Sequence, residues 1–128
     1  MLYLDSSAIV KLVVPEPESR SLAAAIDGKP DVVSSVLSRV EVLRAIQRSG
    51  AGSPVAERAE AIFGRIALVR LEEPILRDAA AMGPTELRTL DAIHLATALT
   101  ISPDALITYD ARLGKAARAA GLTVEAPR

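Results

Sequence analysis

Short apolar runs and helical stripes take turns along this chain, and no tight turn of the Asn-Gly kind joins two of the runs. That alternation constrains the fold more than any other feature. Apolar runs at 2–4, 31–33, 67–71, 105–108 and 122–124 are the right length for strands. Helical patterns fall between them, over 6–14, 18–26, 36–48, 53–65, 74–82, 87–99 and 111–120. Punctuation supports the division. Pro15 and Pro17 stop the first helix, Gly28 closes the second, and Ser34 or Ser35 can cap the third. Gly50-Ala51-Gly52 ends that third helix, Pro54 stands in the first turn of the fourth, and Gly83-Pro84 stops the fifth. Strands separated by helices run parallel and are buried on both faces. The expected fold is therefore α/β: one domain over residues 1–128, with a central parallel β-sheet of four to five short strands flanked by helices.

Composition narrows the chemistry. Half of the residues are apolar, but the only aromatics are Tyr3, Phe63 and Tyr109, so the core must be aliphatic and a base-stacking platform is excluded. Both tyrosines read as core. Fifteen basic and sixteen acidic residues give a net charge of -1, so any grip on nucleic acid needs a local patch. With no cysteine there is no disulfide, thiolate metal site or Cys nucleophile. One histidine, His94, excludes a His-pair enzyme and a multi-histidine zinc site. The longest charge-free stretch, 92–103, falls far short of the roughly 20 residues that span a bilayer. No basic segment precedes the first apolar run, so a soluble cytoplasmic protein without a membrane partner is expected.

Common α/β motifs are missing. Gly50-Ala51-Gly52-Ser53-Pro54 lacks the third small residue of a dinucleotide fingerprint and follows a helix, so it reads as a helix–helix loop. There is no P-loop and no Gly-x-Ser-x-Gly elbow, and Asp5 is followed by Ser6 and Ser7 rather than by a second acid.

Four acids remain at suggestive places. Open parallel sheets bind ligands at the carboxyl ends of their strands. Asp5 ends the first strand and Asp110 follows the fourth; both would converge on one crevice if those strands are neighbours. Each also precedes a helix, where Asp is a favoured N-cap worth about 1 kcal/mol. Asp91 sits early in the most apolar helix, with His94 three residues on, and a carboxylate there must be paired, protonated or bound to a metal. Glu41 has apolar Leu37 and Ala45 four residues to either side, although Arg44 at i+3 offers it an exposed ion pair. Acids gathered without a counter-charge repel one another, and a divalent cation supplies that charge. Oxygen ligands alone favour Mg²⁺ or Mn²⁺ over zinc.

The motifs Leu2-Tyr3-Leu4-Asp5-Ser6-Ser7-Ala8, Ser38-Arg39-Val40-Glu41, Leu90-Asp91-Ala92-Ile93-His94-Leu95-Ala96-Thr97-Ala98 and Leu106-Ile107-Thr108-Tyr109-Asp110 resemble the PIN-domain family, with the nearest match among its VapC-type toxins. The likeness spans essentially the whole chain. It implies a PIN-like fold and a metal-dependent ribonuclease cutting single-stranded segments of folded RNA, commonly tRNA or rRNA. It further implies a homodimer and a cognate VapB-type antitoxin whose tail fills the active-site groove. The family's acidic quartet falls on Asp5, Glu41, Asp91 and Asp110. On this reading Asp5, Asp91 and Asp110 hold Mg²⁺ or Mn²⁺, Glu41 completes the site either as a further metal ligand or by orienting the attacking water, and Ser6 and Thr108 hydrogen-bond the carboxylates.

An all-acid pocket repels RNA, so cations must border it. Arg44, Arg48, Arg88 and Arg112 are the candidates, whereas Lys11 reads as an ordinary surface charge. His94 reads as a hydrogen-bonded structural histidine and stays outside the catalytic set. Two alternatives use the same crevice: a binding or regulatory module that cuts nothing, and a flap-type DNA nuclease.

Overall fold

Asp5 interrupts the apolar run Leu2–Leu4, and that interruption sets the architecture. The run forms β1, and Asp5 caps the helix α1 (Ser6–Val13) that follows it, accepting a hydrogen bond from the Ala8 amide. A computed structural model describes residues 1–83 and 86–128. In chain order, α2 (Ser19–Ile26) leads to β2 (Val32–Ser35), α3 (Leu37–Ser49) and α4 (Ser53–Phe63). Then come β3 (Ala67–Val69), α5 (Glu73–Ala81), α6 (Thr89–Ile101), β4 (Ala105–Ile107), α7 (Ala111–Ala119) and β5 (Val124–Glu125).

The five strands form one sheet in the order β3-β2-β1-β4-β5, and every pairing is parallel. Both faces are covered, as the alternation of strand residues requires. Leu4 and Ile107 pack with α1, α3 and α4 through Ile9, Val42, Ile46 and Phe63. Tyr3 and Leu106 point the other way, to Leu95 and Ala98 of α6 and Leu113 and Ala117 of α7. A third cluster joins Ile75 and Ala79 of α5 to Ala92 and Ala96 of α6. Because α6 serves two clusters, it is apolar around most of its circumference.

Sequence and structure differ mainly at element ends. Neither Ser34 nor Ser35 is the cap residue of α3: that position falls on Val36, which offers no side-chain cap, although Ser35 Oγ accepts from the Leu37 amide. Ser34 is fully buried in β2 and donates instead to the Leu4 carbonyl at 2.6 Å. β5 lies at Val124–Glu125, later than the expected 122–124, because Leu122 still bonds back to Ala117 at the end of α7. Gly50 caps α3 at φ +69°, where a β-carbon would be strained, so the Gly50–Gly52 segment is a helix–helix loop. Pro84, expected to help stop α5, lies outside the described residues. Tyr3 is core, but Tyr109 is only half-buried, with the Lys11 ammonium 4.8 Å from its ring centroid. Lys11 is committed there, also pairing with Glu16 and Glu18. Among the described residues no helix is long and apolar enough to cross a membrane.

Candidate active site

β1 and β4 are neighbours running the same way, with Leu4 paired to Ile107, so Asp5 and Thr108 leave the sheet side by side. Thr108 Oγ1 donates to Asp5 Oδ2 at 2.6 Å. The Ser7 hydroxyl lies 2.7 Å from Asp5 Oδ1 and 2.9 Å from Oδ2, and the Ala8 amide donates to Oδ1 at 2.9 Å. Asp5 is 4 % exposed. Burial pushes its carboxyl pKa up, against the opposing hydrogen bonds from Thr108 and Ser7.

Asp110, two residues beyond Thr108, is the N-cap of α7. Its Oδ1 accepts from the Arg112 amide at 2.8 Å and the Leu113 amide at 3.0 Å, and its own amide donates to Thr108 Oγ1 at 3.0 Å. The capping role and the place at the strand ends thus coexist, for Asp5 and for Asp110 alike. Glu41 arrives on α3, one turn after Ser38. Its Oε1 accepts from Ser6 Oγ at 2.6 Å and from His94 Nε2 at 2.7 Å. Burial would raise its pKa, but these two hydrogen bonds prevail and hold it below the usual glutamate range.

Asp91 lies in the first turn of α6, and its Oδ2 is buried with no hydrogen-bond partner. Burial raises its pKa, and the negative charges of Asp110 and Asp5 raise it further, against His94 and Arg88. All four acids line one cavity of about 270 Å³, together with Ser6, Ser7, Arg88, Thr89, Leu90 and His94. A larger groove of about 650 Å³ opens between α1, α2 and α4. It is mostly apolar, with Asp27, Lys29 and Arg65 as its charged groups, and it shares no residue with the acidic cavity.

Of the four candidate arginines only Arg88 lines the cavity. Arg44 and Arg48 are exposed farther along α3, and Arg112 is exposed at the start of α7. One polar residue was missed by sequence reasoning, Ser7, and His94 is the hydrogen-bonded, buried histidine expected but with other partners. Ser7 grips Asp5, a role that its place two residues into the helix Asp5 caps would allow. His94 faces Glu41, Ser6 and Tyr3 rather than the Asp91 of its own helix.

The donor set suits a hard cation. Every acid presents oxygen, Asp91 Oδ2 is an orphan, and two of the carboxyl groups are costly to ionise without positive charge nearby. Among the described residues no three His, Asp or Glu side chains converge into a ready-made cage. Asp5, Glu41 and Asp110 each spend at least one oxygen on protein donors. Any cation held there would have to keep several of its own waters, as a hard divalent ion can.

Comparison with known proteins agrees with this geometry. The family model described as PIN domain matches residues 2–119. Ribonuclease VapC46 of Mycobacterium tuberculosis is 45% identical over 128 residues, covering 98% of this chain and 97% of that protein. Among solved structures, M. tuberculosis VapC20, a sarcin–ricin-loop cleaving toxin, superposes with a TM-score of 0.79 at 15% identity, over 99% of this chain and 100% of the other. A chain from a toxin–antitoxin complex of Klebsiella pneumoniae gives 0.76 at 20% identity, over 100% and 98% respectively. The match over nearly its whole length, on a parallel sheet that gathers four acids in one cavity, establishes that this chain belongs to the PIN-domain family and, within it, to the VapC group.

Proposed function

We propose that this chain is a metal-dependent endoribonuclease, the toxic partner of a type II toxin–antitoxin pair. One observation carries the reading: Asp5, Glu41, Asp91 and Asp110 come from four separate parts of the fold and line a single cavity, where Asp91 Oδ2 has no partner. Relatives named as VapC ribonucleases support RNA as the substrate class.

Asp91, Asp5 and Asp110, together with Glu41, are the residues that would hold Mg²⁺ or Mn²⁺. Such an ion, when bound, makes water a stronger nucleophile and stabilises charge on the phosphate and the leaving oxygen. The protein's own task is to keep the acids in place. Ser7 and Thr108 hold Asp5, and the first turn of α7 holds Asp110. Ser6 holds Glu41 by Oε1, which leaves Oε2 to orient the attacking water. Arg88, exposed at the cavity's edge, offsets the repulsion that an acidic pocket exerts on a polyanion. Hydrolysis of this kind leaves a 5′-phosphate and a free 3′-hydroxyl.

The reading places the protein in the cytoplasm, with two protein partners: a VapB-type antitoxin, supported by the likeness to a toxin–antitoxin complex, and a second copy of the chain. Val36, Val40 and Leu43, all exposed on one side of α3, support the homodimer. Val40→Lys should then shift the protein toward monomer in sedimentation.

The deciding experiment incubates purified protein and Mn²⁺ with end-labelled RNA and a matched DNA. The wild type should cut RNA in preference, and Asp5→Asn and Asp91→Asn should not. Wild-type rates from both variants would overturn the site. Preferential cutting of DNA would make the protein a flap-type nuclease instead, and cleavage of neither would favour a binding module.

A further inference from the structure

We propose that His94, steadied by Tyr3, is a positioning residue that clamps Glu41 in the acidic cavity. The inference rests on the nuclease reading for its consequence but on hydrogen bonding alone for its geometry. Tyr3 lies on β1, His94 on α6 and Glu41 on α3, so the clamp ties the sheet to both covering layers. Tyr3 is wholly buried and His94 is 2 % exposed. Their rings meet edge to face, 5.9 Å apart at an interplanar angle of 75°. The Tyr3 hydroxyl lies 2.7 Å from His94 Nδ1, and His94 Nε2 lies 2.7 Å from Glu41 Oε1.

Glu41 Oε1 is an acceptor, so Nε2 must carry a proton for this contact to hold. The Tyr3 hydroxyl enforces that choice by donating to Nδ1. An ordinary tyrosine hydroxyl carries its proton at neutral pH, so it can serve as that donor. A glutamate held by one hydroxyl still swings about it; a second donor from another helix removes that freedom. The first donor is Ser6, itself 3.1 Å from Ser38, which lies 2.7 Å from the buried Ser34 hydroxyl. Glu41 is thus gripped from two sides. Since His94 follows Asp91 by one turn of α6, the clamp also sets Glu41 relative to Asp91.

The test pairs a spectroscopic readout with a binding one. Long-range ¹H–¹⁵N correlation on the single imidazole should show Nε2 protonated in the wild type. Tyr3→Phe, which keeps the ring, should release the tautomer to a mixture. A bare Nε2 in the wild type, or a ring signal unmoved by Tyr3→Phe, overturns the clamp. In Mn²⁺ titrations, His94→Leu should weaken binding about 10- to 100-fold. His94→Gln, whose amide nitrogen reaches the Nε2 position, should restore most of the loss. In a Glu41→Gln background His94→Leu should cost nothing more; fully additive losses would overturn the proposal. If the wild type takes up no Mn²⁺, the nuclease reading falls, and the imidazole signal still decides the clamp.

Discussion

Thr108 Oγ1 reaches Asp5 Oδ2 at 2.6 Å, joining the carboxyl ends of two neighbouring parallel strands whose residues lie 103 positions apart. The threonine is also the acceptor for the Asp110 amide, so one hydroxyl fixes the backbone beside both acids. Thr108→Val keeps the shape and removes both bonds. It should lower unfolding free energy in urea by about 1.5–3 kcal/mol, the range for a hydrogen bond to a charged group. Thr108→Ser should stay close to the wild type, and an equal loss in both variants would argue against the bond's importance.

Asp91 should trade stability for activity. Its Oδ2 is buried without a partner and it faces two like charges. In EDTA, Asp91→Asn should melt at or above the wild-type temperature because it removes that repulsion. With Mn²⁺ at 100 times its dissociation constant, the wild type should gain about 2.7 kcal/mol and the variant much less. A variant that melts well below the wild type in EDTA would contradict this.

The corner between α1 and α2 should carry an acid-sensitive contribution. Lys11 Nζ lies 2.9 Å from Glu18 Oε2 and holds that carboxyl below the usual glutamate range. A lowered folded-state pKa adds stability above the ordinary glutamate value, lost as pH falls through the lowered one. The melting-temperature gap between wild type and Glu18→Gln should therefore be widest near neutrality and close in acid. A gap that widens in acid would reverse the assignment.

Arg88 should set part of the salt dependence of RNA binding. It is the one arginine or lysine lining the cavity among the described residues. For a phosphate contact, Arg88→Gln in an Asp5→Asn background should reduce the slope of log affinity against log salt by about 0.7. Arg44→Gln, outside the cavity, should leave the slope nearer the parent value.

Alternation of strands and helices made the parallel sheet legible, because the period of apolar residues reports burial directly. The pairing of β1 with β4, on which the meeting of Asp5 and Asp110 depends, was a condition the sequence could pose but not decide. Of the acids, Asp5 and Asp110 were readable from their places at strand ends, and Asp91 from its apolar helix. Partners across elements were harder to see. Nothing along the chain ties His94 to Glu41, 53 positions away, whereas its nearness to Asp91 is obvious and misleading. Ser34 looked like a cap because serine often is one; its hydroxyl goes to Leu4 since β2 runs two residues farther than expected.

The central position of β1 has a consequence for folding. It is paired on one side by β2, but its other neighbour, β4, comes only after six of the described helices. Asp110 lies just beyond β4, so the last wall of the acidic cavity cannot form until that distant strand has docked on β1. A partly folded chain is in this way disarmed, and the cavity closes only with the sheet.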